Sequence, residues 1–324
     1  MPNSSTIIKI VARKKTEVIR HGLKVAVLLL IIGIACLYNN GWAAEEEWNP
    51  PSVGPVTAWT APLCEKVKVV IQQFFFYNAT RGSFNQDGHY ESLSTGDWKN
   101  QFQEQLFVQY GLTDRFEIDA QTVYQQNVVK QDGERAASTG FGDSYLFLRG
   151  CALEESKWLP HLTALFQLKM PTGKYQKANP GKLGTDLMGA TTGGGSWDPG
   201  FGINLTKHIK PFILHADVTF SYPQLVRIDG AKTIYGKYVN YDFGVEYFLS
   251  KGFNLMMETN FLAQTDTWQD GERTASSGVN SFILCPGIGW SDDKIQMLLA
   301  YQRAMTGANT DANDSIVFTF TYTF

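Results

Sequence analysis

The sequence predicts an all-β protein, a transmembrane antiparallel up-and-down β-barrel of about 12 strands. Three observations predict it. Apolar and polar residues alternate with period two from about residue 66 to Phe324, long and short connections follow each other in turn, and aromatic residues stand close to strand ends. A soluble β-sandwich could also alternate, but it has no reason to place every long connection at one end.

The first 43 residues differ in kind from the rest and predict a cleaved signal peptide. Six basic residues precede or border an apolar run of thirteen residues, Val25 to Leu37. A membrane-spanning helix needs roughly 20 apolar residues, so this run is better matched to a signal peptide than to an anchor. Gly41 and Ala43 supply the small residues of a cleavage site, which predicts a mature start near Ala44.

Lipoprotein processing at Cys36 is the alternative for this leader. It is disfavoured because Gly33 stands where a lipoprotein signal has a large aliphatic residue. We therefore expect residues 1–43 to be removed, residues 44–65 to form a periplasmic N-terminal segment, and residues 66–324 to form the barrel.

Removal of the leader makes the chain acidic. The whole sequence has 28 basic and 31 acidic residues, and the leader contains six of the former and only Glu17 of the latter, which leaves a net charge near −8. Such a surface argues against a nucleic-acid partner, because phosphates require clustered Lys and Arg. Beyond the leader, no apolar stretch is long enough for a helical span.

Twelve segments carry the strand pattern. The last one shows it best, with Ile316, Phe318 and Phe320 on one face and Val317, Thr319 and Thr321 on the other. In a transmembrane barrel the apolar face contacts lipid and the small polar face lines the lumen. The predicted strands are 67–77, 98–110, 115–127, 141–151, 160–170, 197–206, 210–221, 235–248, 252–264, 279–290, 294–303 and 314–324.

The connections between these strands set the orientation. Short links at 111–114, 152–159, 207–209, 249–251 and 291–293 alternate with long, polar links at 78–97, 130–140, 171–196, 222–232, 266–278 and 305–313. An even strand number with short periplasmic turns puts both termini in the periplasm. The aromatic residues Phe320, Tyr322 and Phe324 then end the last strand as an insertion signal. We expect the barrel assembly machinery to read it and a lipid bilayer to surround the barrel.

Three cysteines follow the leader. Cys64 and Cys151 both belong to the predicted periplasmic end, so a disulfide between them is one prediction. The alternative is that they and Cys285 are small buried apolar residues.

The sequence lacks the residue patterns of the common catalytic sites. None of His89, His161, His208 and His215 has a serine nucleophile two residues away, as a lipase barrel would require, and no histidines or cysteines stand at metal-ligand spacing. The glycine runs lack the residues of a phosphate-binding or dinucleotide-binding loop. The sequence therefore predicts no enzyme, no cofactor and no metal.

The inward faces hold the remaining candidates for function. Charges of both signs inside a barrel either line a selective channel or lock together as a plug, and the sequence favours the channel. The pore-lining candidates are Glu117, Asp119, Asp143, Arg149, Lys169, Asp217, Asp242 and Glu246.

Four segments carry a resemblance to a known family. They are Tyr110–Glu117, which holds a Gly-Leu-Thr-Asp turn, Gly140–Asp143, Lys169–Gly173 and Gly195–Gly202. In this order they resemble an outer-membrane β-barrel family labelled as putative MetA-pathway of phenol degradation, over residues 66–324. The resemblance implies a transporter-like barrel that passes aromatic or other small hydrophobic molecules, and it implies no functional residues.

We therefore expect an outer-membrane channel for small molecules in a Gram-negative envelope. Two alternatives stay open at this point. The long loops, above all residues 171–196, could bind a partner at the cell surface with the barrel as a support, or the barrel could hydrolyse lipid, which the histidine spacing disfavours.

Overall fold

The computed structural model describes residues 50–175 and 191–324, apart from Val53 and Lys251, together with Trp48. The predicted signal peptide and its cleavage site lie outside the described residues, as does the middle of the loop at 171–196. Within the described residues, no helix has the length and apolar content to cross a membrane.

The described residues form eighteen strands, and twelve of them build a closed barrel. The strands are β1 (Val69–Phe84), β2 (Tyr90–Ser92), β3 (Trp98–Thr113), β4 (Phe116–Gln131), β5 (Glu134–Phe141), β6 (Ser144–Leu153), β7 (His161–Met170), β8 (Asp198–Ile209), β9 (Phe212–Ser221), β10 (Val226–Ile228), β11 (Ala231–Ile234), β12 (Tyr238–Ser250), β13 (Phe253–Gln264), β14 (Trp268–Gln269), β15 (Glu272–Arg273), β16 (Asn280–Ser291), β17 (Ile295–Ala308) and β18 (Thr310–Thr323). The barrel strands are β1, β3, β4, β6, β7, β8, β9, β12, β13, β16, β17 and β18, each antiparallel to its neighbours.

The barrel closes between its first and last strands. β1 pairs with β18 from Val70 opposite Thr323 to Phe84 opposite Thr310, with one irregularity after Thr80. The Phe324 N–H donates to the Val69 carbonyl at 2.9 Å, so the ladder continues to the last residue of the chain. The predicted barrel and its twelve strands are confirmed.

Two of the predicted long loops are instead extended hairpins. Residues 130–140 continue β4 and β5 around a tight turn at Asp132 and Gly133, both with positive φ, as a two-residue hairpin turn requires. Residues 305–313 continue β17 and β18 around Asn309. The strand ends predicted at these two places were too early, because strand pairing continues through most of both links. A separate small sheet of β10, β11, β14 and β15 forms from two further long connections.

The side chains alternate across the wall as predicted. On β18, Ile316 and Phe318 are exposed while Val317 and Thr319 are buried. The exposed apolar side chains form the surface that lipid contacts. We call the side with the short turns the turn end and the opposite side the loop end.

Candidate functional site

The described residues of 51–64, here called the luminal segment, lie inside the barrel. At one end the Pro51 carbonyl accepts a hydrogen bond from Ser291, next to the β16–β17 turn, and at the other end the chain leads from Cys64 into β1. Both ends of the segment are thus at the turn end of the barrel. Residues 44–65 were predicted as a periplasmic segment that precedes the barrel. In the described part of that range, polar side chains of the barrel wall bind the backbone.

Glu258 of β13 is the main anchor of the luminal segment. Its two carboxylate oxygens accept hydrogen bonds from the backbone N–H groups of Val56 at 2.7 Å, Thr57 at 2.9 Å and Ala58 at 2.8 Å. The Thr57 hydroxyl also bonds to this carboxylate. Glu258 is fully buried, so its charge is stabilised by these donors in place of water.

The next residues of the luminal segment are held by hydrogen bonds to side chains of β7, β8 and β9. The Trp59 N–H donates to Asp217 at 2.7 Å, and the Ala61 N–H donates to the Thr206 hydroxyl at 2.8 Å. The Thr163 hydroxyl in turn donates to the Ala61 carbonyl at 2.6 Å. Backbone groups that would be unsatisfied inside a barrel therefore find partners on β7, β8 and β9.

Two predicted pore residues form a buried ion pair that also holds the segment. The Arg149 Nη1 atom is 2.5 Å from Glu117, and both side chains are fully buried. Arg149 further donates to the Thr60 carbonyl, while Glu117 accepts the Cys64 N–H. Asp119, two residues beyond Glu117 on β4, is buried on the same inner face.

Glu246 links His215 to the luminal segment. The His215 Nε2 atom lies 2.9 Å from Glu246, and its Nδ1 atom lies 3.0 Å from Thr206. The Ser52 hydroxyl donates to Glu246 at 2.5 Å. His215 thus positions groups that hold the segment. Asp242 accepts from Asn260, which also bonds to Thr57.

His208 has a different role, near the end of β8 at the turn end of the barrel. Its Nδ1 atom is 2.6 Å from Glu155. Partial burial opposes ionisation of Glu155, but hydrogen bonds from His208 and Lys207 outweigh it and lower the pKa of that carboxyl to about 2. The pair stabilises the β6–β7 and β8–β9 turns against each other.

The other two candidates, Asp143 and Lys169, lie at the loop end and bring three of the family motifs together. The Lys169 Nζ atom is 2.6 Å from Asp198 and 3.3 Å from Asp143. Asp143 also accepts the N–H groups of Gly173 and Gly194 at 3.1 and 2.9 Å. A Cβ on Gly193 would stand 2.8 Å from the Gly173 Cα atom, so the close approach of the two backbones at this point requires glycine. The motifs converge on one ion cluster that fixes the ends of the longest loop.

The structure thus places all eight predicted pore residues on the inner face of the wall, but in two separate groups. Glu117, Arg149, Asp217 and Glu246 contact the luminal segment directly. Asp119 and Asp242 lie beside this first group. Asp143 and Lys169 form the second group and bind the described ends of the loop at 171–196.

An apolar belt at mid-height of the lumen was missed by the sequence analysis. Its aromatic members come from β1, β3 and β6, and Trp59 of the luminal segment packs against them. The sequence carries a signal of the belt, because residues 74–77 of β1 are apolar on both faces of the strand. This pattern fits a lumen that is itself apolar at this level. The belt consists of Phe74, Phe76, Phe107, Phe147, Leu165, Met256, Leu298 and Val317.

Above the belt, the lumen widens into a polar vestibule. The cavity has a volume of about 240 Å³ and is open toward the loop end. Its wall is rich in amides that bond to one another, as Asn78 does to Gln101 and Gln101 does to Asn127, each at 2.8 Å. The vestibule is lined by Asn78, Thr80, Lys99, Gln101, Gln125, Asn127, Thr192, Asp311 and Asn313.

The cysteines do not form the bridge that was predicted between Cys64 and Cys151. All three are free thiols. The Cys64 Sγ atom is 3.3 Å from the Lys68 carbonyl and so faces its own turn, while the Cys151 N–H bonds to Arg115 at the end of β6. Cys285 is buried among the apolar side chains that pack with the belt, as the alternative of a small buried apolar residue suggested.

A closed antiparallel barrel with an apolar exterior is a protein of the bacterial outer membrane. The chain belongs to the family described as putative MetA-pathway of phenol degradation, whose model matches residues 126–320, more than half of the chain. A comparison with functionally characterised proteins gave no significant match.

One solved structure shares the fold, and others show a weaker similarity. The COG4313 outer membrane channel from Pseudomonas putida F1 superposes with a TM-score of 0.69 at 15% identity, over 84% of this chain and all of that one. The CymD monoaromatic hydrocarbon channel gives a TM-score of 0.41 at 8% identity, over 80% of this chain and 88% of that one. A Pseudomonas aeruginosa FadL homologue gives 0.37 at 10% identity, over 79% and 89%.

Proposed function

We propose that the protein is an outer-membrane channel for small apolar molecules, aromatic compounds among them, and that the luminal segment closes it. The observation that carries this proposal is the layered lumen. A polar vestibule leads from the loop end to an apolar belt, and the luminal segment lies across the barrel at that level. An ion-selective pore would need a charged constriction in contact with water, whereas here the charges at mid-height are bound to the segment.

The geometry of the segment suits a gate. Both of its ends are at the turn end, which we place in the periplasm, so it can withdraw without crossing the barrel. Its backbone is held by side chains rather than by a strand ladder, so its release breaks no wall pairing. The family description, which refers to phenol degradation, supports aromatic solutes.

Uptake into proteoliposomes tests the proposal. Vesicles with the purified protein should take up p-cresol faster than protein-free vesicles do, and they should exclude sucrose. Boiled protein in the same lipid is the control for leakage. Equal p-cresol uptake by the vesicles with folded and boiled protein would overturn the proposal.

We further propose that Phe320, Tyr322 and Phe324 act as the insertion signal for the barrel assembly machinery. Phe320 and Phe324 are exposed on the outer face, and the Tyr322 and Phe324 rings lie 4.7 Å apart. The three rings form an aromatic edge next to the seam between β1 and β18, where an assembling barrel must close.

A further inference from the structure

We infer that the mid-lumen contains a binding site for a neutral phenolic ring, and that Trp59 occupies this site while the channel is closed. The inference rests on the proposed function and assigns a ligand class and a position to it. Two features of the structure support it: the aromatic and cationic groups that surround the indole ring, and the Arg149 hydrogen-bond donor that would lose its acceptor if the luminal segment withdrew.

The indole ring is held by groups of the wall in the way an aromatic ligand would be. Its centroid is 4.8 Å from that of Phe147 and 5.6 Å from that of Phe107, with interplanar angles of 63° and 71°. The guanidinium carbon of Arg149 lies 5.0 Å from the indole centroid. Edge-to-face rings and a cation over a ring face are the contacts that aromatic binding sites use. All three belong to β3 and β6, so they stay in place when the segment moves.

Departure of Trp59 would leave one hydrogen-bond donor of the wall without its acceptor. Arg149 donates through Nη1 to Glu117 and through Nη2 to the carbonyl of Thr60, the residue next to Trp59. When the segment withdraws, the Glu117 contact remains and the Thr60 carbonyl is lost. A buried donor without a partner is costly, so an oxygen on the incoming ring would bind there.

The charges around the site favour a hydroxyl over a carboxylate as that oxygen. Arg149 is already paired with Glu117, and both side chains are fully buried. A carboxylate would have to be buried beside a guanidinium that is already paired, which is costly, whereas a neutral phenol would add no charge. The site therefore selects phenols over aryl carboxylates and over rings without an oxygen.

Ligand and Trp59 cannot occupy the site together. Binding of a phenol consequently favours the state in which the luminal segment is displaced, so the solute would open the channel that it uses. The apparent affinity is reduced by the fraction of molecules in which Trp59 fills the site.

Equilibrium dialysis with radiolabelled p-cresol on the detergent-solubilised protein tests the inference. Trp59→Ala should bind p-cresol about tenfold more tightly than the unmodified protein, because the internal competitor is gone. Trp158→Ala, at an exposed turn residue, is the matched control and should bind as the unmodified protein does. In the Trp59→Ala background, Phe107→Leu should weaken binding again, and toluene and benzoate should compete poorly.

Two results would overturn the inference. One is equal p-cresol affinity for Trp59→Ala and Trp158→Ala, and the other is equal competition by toluene, benzoate and p-cresol. Uptake by proteoliposomes of the same preparations separates this failure from that of the proposed function. Uptake of p-cresol together with an equal p-cresol affinity of Trp59→Ala and Trp158→Ala would refute the Trp59 site but not the channel. Absence of uptake would refute the channel itself.

Discussion

Deletion of residues 50–62 should convert a closed barrel into a conducting one. The deletion removes the backbone that crosses the lumen and Trp59 with it, while β1 to β18 keep all of their pairings. Water would then solvate the carboxylates that the segment now covers. We expect single-channel conductance to rise by about an order of magnitude, because the constriction at the apolar belt is gone.

The deletion has a direct control for folding. The shortened protein should still run faster on a gel when it is not boiled, as a closed barrel does. A folded deletion variant with the conductance of the full-length protein would show that the luminal segment does not limit passage.

Replacement of Glu258 by alanine should release the luminal segment without shortening the chain. The carboxylate accepts three backbone N–H groups and a hydroxyl of the segment, which are left without this acceptor in the variant. Hydrogen bonds to a charged group contribute about 1.5–3 kcal/mol, so loss of the anchor should raise the population of the released state about a hundredfold. Limited proteolysis at the segment and channel open probability measure this population.

Asp311→Ala is the matched control for Glu258→Ala. Asp311 is a carboxylate of the vestibule that pairs with Lys99, and it makes no contact with the luminal segment among the bonds of the described residues. We expect little change in proteolysis for this variant. Equal protection of the segment in both variants would mean that Glu258 does not hold it.

The barrel could be predicted because lipid imposes a simple pattern. Most lipid-facing positions are apolar, so residues such as Phe318 and Phe320 mark their strand without knowledge of any partner. The Asp132–Gly133 turn also carries a hairpin signal, which the assignment of residues 130–140 to a loop overlooked.

The luminal segment could not be predicted in the same way. Its contacts use backbone N–H groups of Val56, Ala58 and Ala61, which every residue has and which leave no pattern in a sequence. Glu117 and Glu246 were placed on the correct face, but a charge that lines a pore and one that binds a segment look alike in sequence. The sequence thus indicates the face on which each of these glutamates lies, but not the group that each one binds.

A reversible cross-link tests most directly the claim that the luminal segment must move for solute to pass. The Thr57 and Asn260 side chains are in hydrogen-bond contact, so Thr57→Cys with Asn260→Cys can form a disulfide once the native cysteines are replaced by alanine. The measurement is p-cresol uptake by proteoliposomes of this variant before and after reduction. Our account predicts no uptake above background when the variant is oxidised and restored uptake when it is reduced. Equal uptake in the two states would contradict it.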